Sequence, residues 1–267
     1  MAFKNKIALI TGASEGIGRE LADIMASDGW NVILTARRQE VLDEFAVSLN
    51  QRYGVQTWAI AADLSQPDAV EFLRDKIREL GLTIDALINN AGFGLYGSFK
   101  DENTERIDAL LQLNITALTK LTYTFLPDMT AKGIGWIMNV ASTAGLVSMP
   151  YLAVYGASKA YVLSFTEALA AELEGSGVIV SCLAPGSTRT NFFNAAGFKD
   201  TGKYQIQMMD ARPVARLGYD GMLQNKRLVL TGAISKSVPY LTRLLPRKTI
   251  ADLMAAYTKK RLLGSKA

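Results

Sequence analysis

A tyrosine and a lysine stand four positions apart in the stretch "YGASK", residues 155 to 159, of a chain that contains no histidine. On a helix, side chains at i and i+4 share one face, so Tyr155 and Lys159 can point together into one cleft. A free tyrosine has a pKa near ~10, and a neighbouring ammonium stabilises the phenolate. We therefore expect Lys159 to lower the pKa of Tyr155 and make it a general acid and base.

A second chemical motif is the glycine-rich stretch "TGASEGIG", residues 11 to 18, which follows an apolar, β-branched run. Its glycines allow a tight turn and a close approach of the backbone to a phosphate. The helix that follows would offer its N-terminal amides to a pyrophosphate. The alternative is a tight connection between a strand and a helix without a ligand.

Four motifs together resemble the short-chain dehydrogenase/reductases: "TGASEGIG", "NNAG" at 89 to 92, "YGASK", and "PGSTRT" at 185 to 190. They occur in the order and approximate spacing of that family, and Ser142 precedes Tyr155 by thirteen residues. The resemblance runs from Lys6 to about Thr190. It is strongest to a bacterial group similar to 3-oxoacyl reductases and hydroxysteroid dehydrogenases.

The resemblance assigns catalytic roles to Ser142, Tyr155 and Lys159, with Asn114 holding a water molecule that links Lys159 to solvent. Ser142 would stabilise oxyanion charge on a carbonyl substrate, and Tyr155 would protonate the nascent alkoxide. Lys159 would also bind the ribose hydroxyls of a nicotinamide cofactor. For Asn114, a purely structural role as a buried, hydrogen-bonded amide is the alternative.

The implied function is NADP(H)-dependent hydride transfer between nicotinamide and a hydrophobic ketone, aldehyde or secondary alcohol. A second possibility within enzymes is a 3-oxoacyl-thioester reductase. A third reading, from another class, is a non-catalytic nucleotide-binding scaffold or redox sensor, because fold alone does not determine function.

The residues that end the second predicted strand indicate which cofactor is preferred. An enzyme that prefers NAD usually has an acidic residue there, whereas this chain has Ala36 followed by Arg37 and Arg38. Arginines attract a 2'-phosphate, so NADP is favoured over NAD. The two arginines could instead only solvate a loop, because Ser14 and Glu15 supply no second basic group.

The predicted cofactor contacts combine the motifs with positions that the resemblance implies, and no metal ion is expected. They are Gly12, Ser14, Glu15, Gly16, Ile17, Gly18, Arg37, Arg38, Asp63, Leu64, Asn90, Ala91, Gly92, Tyr155, Lys159, Pro185, Gly186, Thr188 and Thr190.

The predicted substrate contacts are apolar or aromatic, which favours a hydrophobic carbonyl compound over a sugar. They are Leu95, Tyr96, Leu146, Val147, Met149, Tyr151, Phe192, Phe193 and Tyr204. For each of them, a place in the core is the alternative.

The elements that must position these residues alternate between short apolar runs and amphipathic segments. Seven such runs read as strands, which predicts a single α/β domain over residues 1–267, a Rossmann-type, doubly wound parallel sheet with helices on both faces. Residues 107–126 are predicted to form one long, largely buried helix. Residues 191–226 break the alternation and are predicted to be an insertion over the carboxyl edge of the sheet, where ligands bind in such folds.

Composition and charge restrict the class of protein. The single cysteine, Cys182, excludes a disulfide framework, and the N-terminus lacks a secretory pattern, so we expect a soluble cytoplasmic protein. Residues 133–158 are uncharged, but glycines, polar residues and Pro150 interrupt them, which argues against a membrane span. The resemblance suggests a homodimer or homotetramer.

The positive charge is concentrated in residues 241–267, which hold seven Lys or Arg against one Asp. The first 240 residues hold 22 Lys or Arg against 24 Asp or Glu, which weakens any nucleic-acid function. The segment reads as a basic amphipathic tail. It is predicted to pack at the substrate entrance, and weak peripheral membrane contact through it is the alternative.

Overall fold

The computed structural model describes residues 3–192, 196, 208–232 and 237–263. Its strands in chain order are β1 Ile7–Thr11, β2 Asn31–Ala36, β3 Thr57–Ala61, β4 Ala86–Asn89, β5 Gly135–Val140, β6 Val178–Pro185, β7 Thr188–Arg189, β8 Met209–Asp210 and β9 Leu228–Thr231. The α-helices are α1 Gly16–Ser27, α2 Gln39–Tyr53, α3 Ala69–Glu79, α4 Thr104–Leu111, α5 Leu118–Lys132, α6 Ala153–Glu172, α7 Ala211–Leu223, α8 Val238–Leu244 and α9 Arg247–Leu263.

Seven strands form one parallel sheet in the order β3-β2-β1-β4-β5-β6-β9. All seven predicted strands are present, and the prediction of a doubly wound parallel sheet is confirmed. The order reverses between β1 and β4, so the carboxyl ends of these two strands open a crevice where ligands bind in folds of this kind.

Alternate residues of each strand face opposite sides of the sheet, and both sides are covered by helices. Ala8 and Ile10 of β1 face a core with α1, α2 and α7. Leu9, between them, faces a core with α3 and α5. Cys182 of β6 is buried in a third cluster beside α6. Burial on both faces explains why the strands read as nearly continuous apolar runs.

The segment predicted as an insertion, residues 191–226, contains the regular helix α7. This helix packs against α1 and β6 on one face of the sheet, and Gly218 lies against the Leu183 side chain. The prediction therefore extended the insertion too far along the chain. A second, two-stranded sheet of β7 and β8 lies in the segment before α7.

The predicted long helix over residues 107–126 is present: α4 and α5 run into one another through a π-helical turn (the π-turn), Gln112–Ala117, which contains Asn114, and the backbone stays right-handed helical at both junctions. Its burial is less complete than predicted, because Tyr123 is 80% exposed. None of the helices in the described ranges has the length and apolarity that crossing a bilayer requires.

Candidate active site

The glycine loop between β1 and α1 has the backbone that its composition predicts. Gly12 and Gly16 have φ values of +66° and +59°, which side chains with a Cβ rarely adopt. Gly18 lies directly against the Gly12 carbonyl and the Asn90 side chain, where a Cβ would clash. Gly18 therefore allows the close packing of helix on strand, and it does not line the cleft as a ligand contact.

The first turn of α1 is open to an anion. The preceding residue, Glu15, has extended backbone and makes no side-chain hydrogen bond to the helix, and no acidic residue lies in the first turn. The first amides of an α-helix have no acceptor within the helix, and the helix dipole places partial positive charge there. A Cβ on Gly16 would lie 3.0 Å from Thr190 Cγ2. A glycine at this position therefore lets the loop lie this close to Thr190. The loop and helix end fit a pyrophosphate.

At the end of β2, the two arginines are differently placed. Arg37 and Arg38 both line the cleft and are exposed. Arg38 forms an ion pair with Glu15, with 3.6 Å between Nη2 and Oε2. Both partners are more than half exposed, so the pair is weak in water. A phosphate bound at Arg38 would have to compete with the Glu15 carboxylate.

The carboxyl end of β4 is tied to β1 through Asn90. The Asn90 amide nitrogen donates to the Thr11 carbonyl at 2.9 Å, and the Thr11 hydroxyl accepts from the backbone amides of Asn90 and Ala91. Asn90 lines the cleft, but its side chain fixes the loop. Asp63 similarly accepts from the amide and hydroxyl of Ser65, which closes a turn at the cleft wall.

Ser142 follows β5 at the start of a 3₁₀ turn, Thr143–Gly145. Its hydroxyl accepts from the Ala144 amide at 3.1 Å. A Cβ on Gly145 would lie 2.5 Å from the Lys159 backbone carbon, so this glycine lets the turn rest directly on α6. The contact brings Ser142 to the helix that carries the Tyr–Lys pair.

Tyr155 and Lys159 lie on the same face of α6 and both line the cleft, as their spacing predicts. Lys159 Nζ lies 5.9 Å from the centroid of the Tyr155 ring and donates to the Val140 carbonyl at 2.8 Å. The ring of Phe192 packs on Tyr155 at a centroid distance of 5.2 Å. The Val140 carbonyl, the Lys159 ammonium and the Tyr155 phenol therefore lie near one another at the end of β5.

The expected lowering of the Tyr155 pKa is not found. Burial raises the pKa of Tyr155 to about 12, and a hydrogen bond with Ser142 offsets this only in part. Burial also lowers the pKa of Lys159 to about 8. The reason is that removal from water disfavours the charged form of both groups. At neutral pH the arrangement therefore holds Tyr155 as a neutral phenol, which is the form that donates a proton.

Asn114 is buried in the π-turn, and its amide is fully hydrogen-bonded. Nδ2 donates to the Phe93 carbonyl at 3.0 Å and to Ser158 Oγ at 3.1 Å, and Oδ1 accepts from the Phe93 amide. A Cβ on Gly92 would touch both Asn114 Oδ1 and Lys159 Nζ, at 3.0 and 3.3 Å. Asn114 thus joins the loop after β4 to α6 next to Lys159, which is the structural alternative. Its role in holding a water molecule stays a prediction.

A cleft of about 1460 Å³ runs along the carboxyl edge of the sheet, and most of the predicted site residues line it, although Asn114 does not. Its volume exceeds the roughly 300–1,000 Å³ of a typical pocket for one small molecule, which leaves space for a cofactor and a substrate together. The predicted nucleotide residues that line it are Gly12, Ser14, Glu15, Gly16, Ile17, Arg37, Arg38, Asp63, Leu64, Asn90, Ala91, Gly92, Pro185, Gly186, Thr188 and Thr190.

Of the predicted substrate residues, four line this cleft: Tyr96, Val147, Met149 and Phe192. Three others lie elsewhere. Leu95 is buried with Leu110 in a small core cluster, and Leu146 packs against the cluster around Cys182. Tyr151, whose φ is +66°, faces a separate minor cavity. Phe193 and Tyr204 lie outside the described residues.

Several cleft residues were missed by sequence reasoning. Phe93 and Leu152 line the cleft beside Tyr155, and their apolar loop positions were the available signal. Thr231, at the end of β9, is buried there, and its hydroxyl has no hydrogen-bond partner in the part of the chain that the structure describes. Both C-terminal helices also contribute to the wall, and for residues 241–267 this agrees with the predicted packing of the tail at the substrate entrance. The lining residues there are Val238, Leu241, Thr242, Leu245, Ile250, Leu253, Met254, Tyr257 and Thr258.

The C-terminal helix is attached to the cleft through Tyr96. The Tyr96 hydroxyl donates to the Thr258 carbonyl at 2.9 Å, and its backbone amide donates to the Ala196 carbonyl at 3.1 Å. The tail thus packs at the cleft mouth, as predicted.

Comparison with known proteins agrees with this geometry. The family model described as short chain dehydrogenase matches residues 6–200. The chain is 35% identical over 182 residues to the 7beta-hydroxysteroid dehydrogenase of Collinsella aerofaciens, covering 68% of each chain. It is 39% identical over 188 residues to sulfoacetaldehyde reductase 2 of Chromohalobacter salexigens, covering 70% of this chain and 74% of that one.

Among solved structures, a short-chain dehydrogenase from Sphingobium yanoikuyae in complex with NADPH is similar in fold. It superposes with a TM-score of 0.79 at 34% sequence identity, covering 84% of this chain and 87% of that chain. The nicotinamide cofactor of that neighbour is of the class that the glycine loop and α1 fit.

Proposed function

Because this chain belongs to the short-chain dehydrogenase family and is a dehydrogenase/reductase, we propose that it uses NADP(H) to interconvert a hydrophobic ketone or aldehyde and its alcohol. The observation that carries the proposal is the neutral, buried Tyr155 phenol at the wall of an apolar cleft, beside Ser142 and Lys159. Bound nicotinamide supplies the hydride.

The residues of the chain then divide the remaining work. The Ser142 hydroxyl donates to the substrate carbonyl oxygen and stabilises the charge that develops there. Tyr155 donates its proton to the same oxygen, and in the reverse direction its phenolate accepts that proton. Lys159 binds ribose hydroxyls, and its charge favours the phenolate once Tyr155 has given up its proton. The aromatic ring of Phe192, packed on Tyr155, shields the proton transfer from water.

The preference for NADP rests on the end of β2. Ala36 stands where an acidic residue would accept from the ribose 2'-hydroxyl of NAD, and Arg37 and Arg38 follow it. Because Glu15 pairs with Arg38, Arg37 is the principal cation for the 2'-phosphate. The NADPH complex of the Sphingobium neighbour supports NADP as the cofactor.

The substrate class follows from the cleft wall, which is apolar and aromatic around Tyr155. The relatives point in two directions, because one is named for a hydroxysteroid and the other for sulfoacetaldehyde. The apolar wall favours a hydrophobic carbonyl compound. Family resemblance further supports a homodimer or homotetramer.

The test is an NADPH-oxidation screen across bulky ketones, aldehydes of both polarities and 3-oxoacyl thioesters, with Tyr155→Phe as the matched variant. We expect oxidation with hydrophobic ketones or aldehydes, and a loss of at least about 100-fold in Tyr155→Phe with NADPH binding retained. Substantial activity in Tyr155→Phe contradicts the mechanism. NADPH binding without turnover of any carbonyl compound supports a scaffold instead.

A further inference from the structure

The outer rim of the cleft is an exposed apolar surface formed by the two C-terminal helices. It comprises Leu241, Leu244 and Leu245 in and after α8, and Leu253 and Tyr257 on one face of α9; we call it the rim surface. Leu244 is 80% exposed and Leu253 is 60% exposed. Four of the five residues also line the cleft. The rim surface is therefore continuous with the substrate cavity.

The rim surface lies in the basic part of the chain. Arg247, Lys248 and Lys259 are exposed on α9, and Lys248 pairs with Asp252, the one acidic residue of the segment 241–267. That segment carries a net charge of +6, against −2 for the first 240 residues. An exposed apolar surface bordered by basic residues has the composition of helices that lie in the headgroup region of a bilayer.

We propose that the rim surface docks on an anionic lipid bilayer, with its leucines in the headgroup region and its basic residues on the lipid phosphates. The charge asymmetry also orients the molecule, because the bilayer attracts the tail and weakly repels the body. The mouth of the cleft then faces the membrane. The benefit of this orientation rests on the proposed function, because a hydrophobic ketone partitions into the bilayer.

A second copy of the chain fits the same surface less well. A two-fold contact places each patch against itself, so the basic residues of the rim, Arg247, Lys248 and Lys259, would be brought close to their copies. Like charges across an interface are unfavourable, whereas an anionic bilayer is complementary to the rim. The charge therefore favours lipid as the occupant.

The experiment is co-sedimentation of the full-length chain with vesicles of phosphatidylcholine alone or mixed with phosphatidylglycerol. Binding is measured at about 0.1 M and about 1 M salt, where the Debye length falls from about 10 Å to about 3 Å. We expect binding to the anionic vesicles at the lower salt and release at the higher. Failure of the full-length chain to bind anionic vesicles at the lower salt overturns the proposal.

Two variants locate the contact. Leu244→Glu lies outside the cleft lining, and we expect it to weaken vesicle binding at least about tenfold while reduction of a water-soluble substrate is unchanged. Arg247→Gln removes one charge and should weaken binding about fivefold. The matched control is Val47→Glu on α2, a site of comparable exposure at 55%, which should leave binding nearly unchanged.

Sedimentation equilibrium of the same variants separates lipid from a second copy. If Leu244→Glu changes the oligomeric state and leaves vesicle binding intact, the rim surface is a subunit contact and the proposal is wrong. If Val47→Glu and Leu244→Glu weaken vesicle binding equally, the proposal is also overturned, because vesicle binding would then not depend on the rim surface. Vesicle binding needs no turnover, so this result stands apart from the substrate screen.

Discussion

At the scale of single residues, the site depends on two titratable groups that burial moves in opposite directions. The pKa of Tyr155 is raised and that of Lys159 is lowered, in both cases because desolvation disfavours charge. The Tyr155 phenol thus stays protonated at neutral pH, and the charged form of Lys159 is destabilised by its burial. At neutral pH the Tyr155 phenol therefore stays in the form that can donate a proton.

The buried ammonium predicts a specific effect of pH on stability. Lys159 has a pKa of about 8 in the fold, against an ordinary lysine pKa of 10.5, so between these pH values the unfolded chain binds the extra proton. Stability should then rise with pH across that window, and the full penalty, on the order of 3 kcal/mol, is present below pH 8. We expect Lys159→Met to be inactive yet more stable at pH 7, with the difference shrinking towards pH 10.

Urea unfolding at pH 7, 8, 9 and 10 measures this effect. Lys76→Met, at a lysine that is 46% exposed on α3, is the control and should show no such pH-dependent gain. Parallel stability curves for the wild type and Lys159→Met would contradict a buried ammonium.

Arg37 carries the cofactor prediction at the same scale. Arg37→Asp should weaken NADPH binding about ten- to a hundredfold and narrow or reverse the preference over NADH, because a charge-assisted contact is worth about 1.5 to 3 kcal/mol. Fluorescence titration with both cofactors measures it. Arg78→Asp on α3 makes the same charge change outside the cleft lining. Equal NADPH affinity in Arg37→Asp and the parent would show that Arg37 does not contribute to cofactor binding.

At the scale of elements, a buried polar ladder joins β4, β5, α5 and α6 beneath the site. Asn89 Nδ2 donates to Asn139 Oδ1 and to Thr122 Oγ1, and Asn139 Nδ2 donates to Thr166 Oγ1, all within 3.1 Å. Each of these side chains is buried, so the loss of one of these hydrogen bonds leaves a polar atom without a partner. The ladder links the two strands, β4 and β5, after which Asn90 and Ser142 follow.

Breaking the ladder should destabilise the fold. Asn139→Ala leaves partners on two elements short of a hydrogen bond, and we expect a loss of about 1–3 kcal/mol in unfolding free energy. A double-mutant cycle with Asn89→Ala, followed by urea unfolding, should give a coupling energy of about 0.5–3 kcal/mol. Additive effects would show that the two amides act independently.

Elements that carry strong local signals could be predicted from sequence, and those set by tertiary packing could not. The seven strands are short, apolar and β-branched, and the glycine loop needs positive φ at Gly12 and Gly16, so composition indicates both. The π-turn around Asn114 has no characteristic residue pattern that would predict it from sequence. Leu95 and Leu146 lie in apolar loops whose side chains could face cleft or core, and only packing decides between them.

At the scale of the whole molecule, the cleft is assembled from both ends of the chain. The loops that follow β1 and β4 line the nucleotide half, and α8 and α9 form the outer wall. The Tyr96 hydroxyl bond to Thr258 joins the two. Basic charge is concentrated in the outer wall and was visible in the sequence, whereas the position of that wall over the cleft depends on the fold.

Loss of the Tyr96 hydroxyl should therefore weaken substrate binding and leave cofactor binding unchanged. We expect Tyr96→Phe to raise KM for the substrate about two- to tenfold, because one hydrogen bond of about 0.5–1.5 kcal/mol holds α9 in place. NADPH affinity should not change. Steady-state kinetics and cofactor titration measure both, with Tyr123→Phe, 80% exposed on α5, as control. A change in NADPH affinity equal to that in KM would contradict this division.

The bond between Tyr96 and Thr258 joins positions 162 residues apart, and this has a consequence for biosynthesis. A ribosome adding about 5–20 residues per second makes Thr258 roughly 8 to 30 s after Tyr96. The strands on both sides of the crevice, β3 to β1 and β4, have all been translated by then. A nascent chain can therefore complete its nucleotide-binding half while the outer wall is still unsynthesised, so early cofactor binding would stabilise the young chain before α8 and α9 complete the substrate side of the cleft.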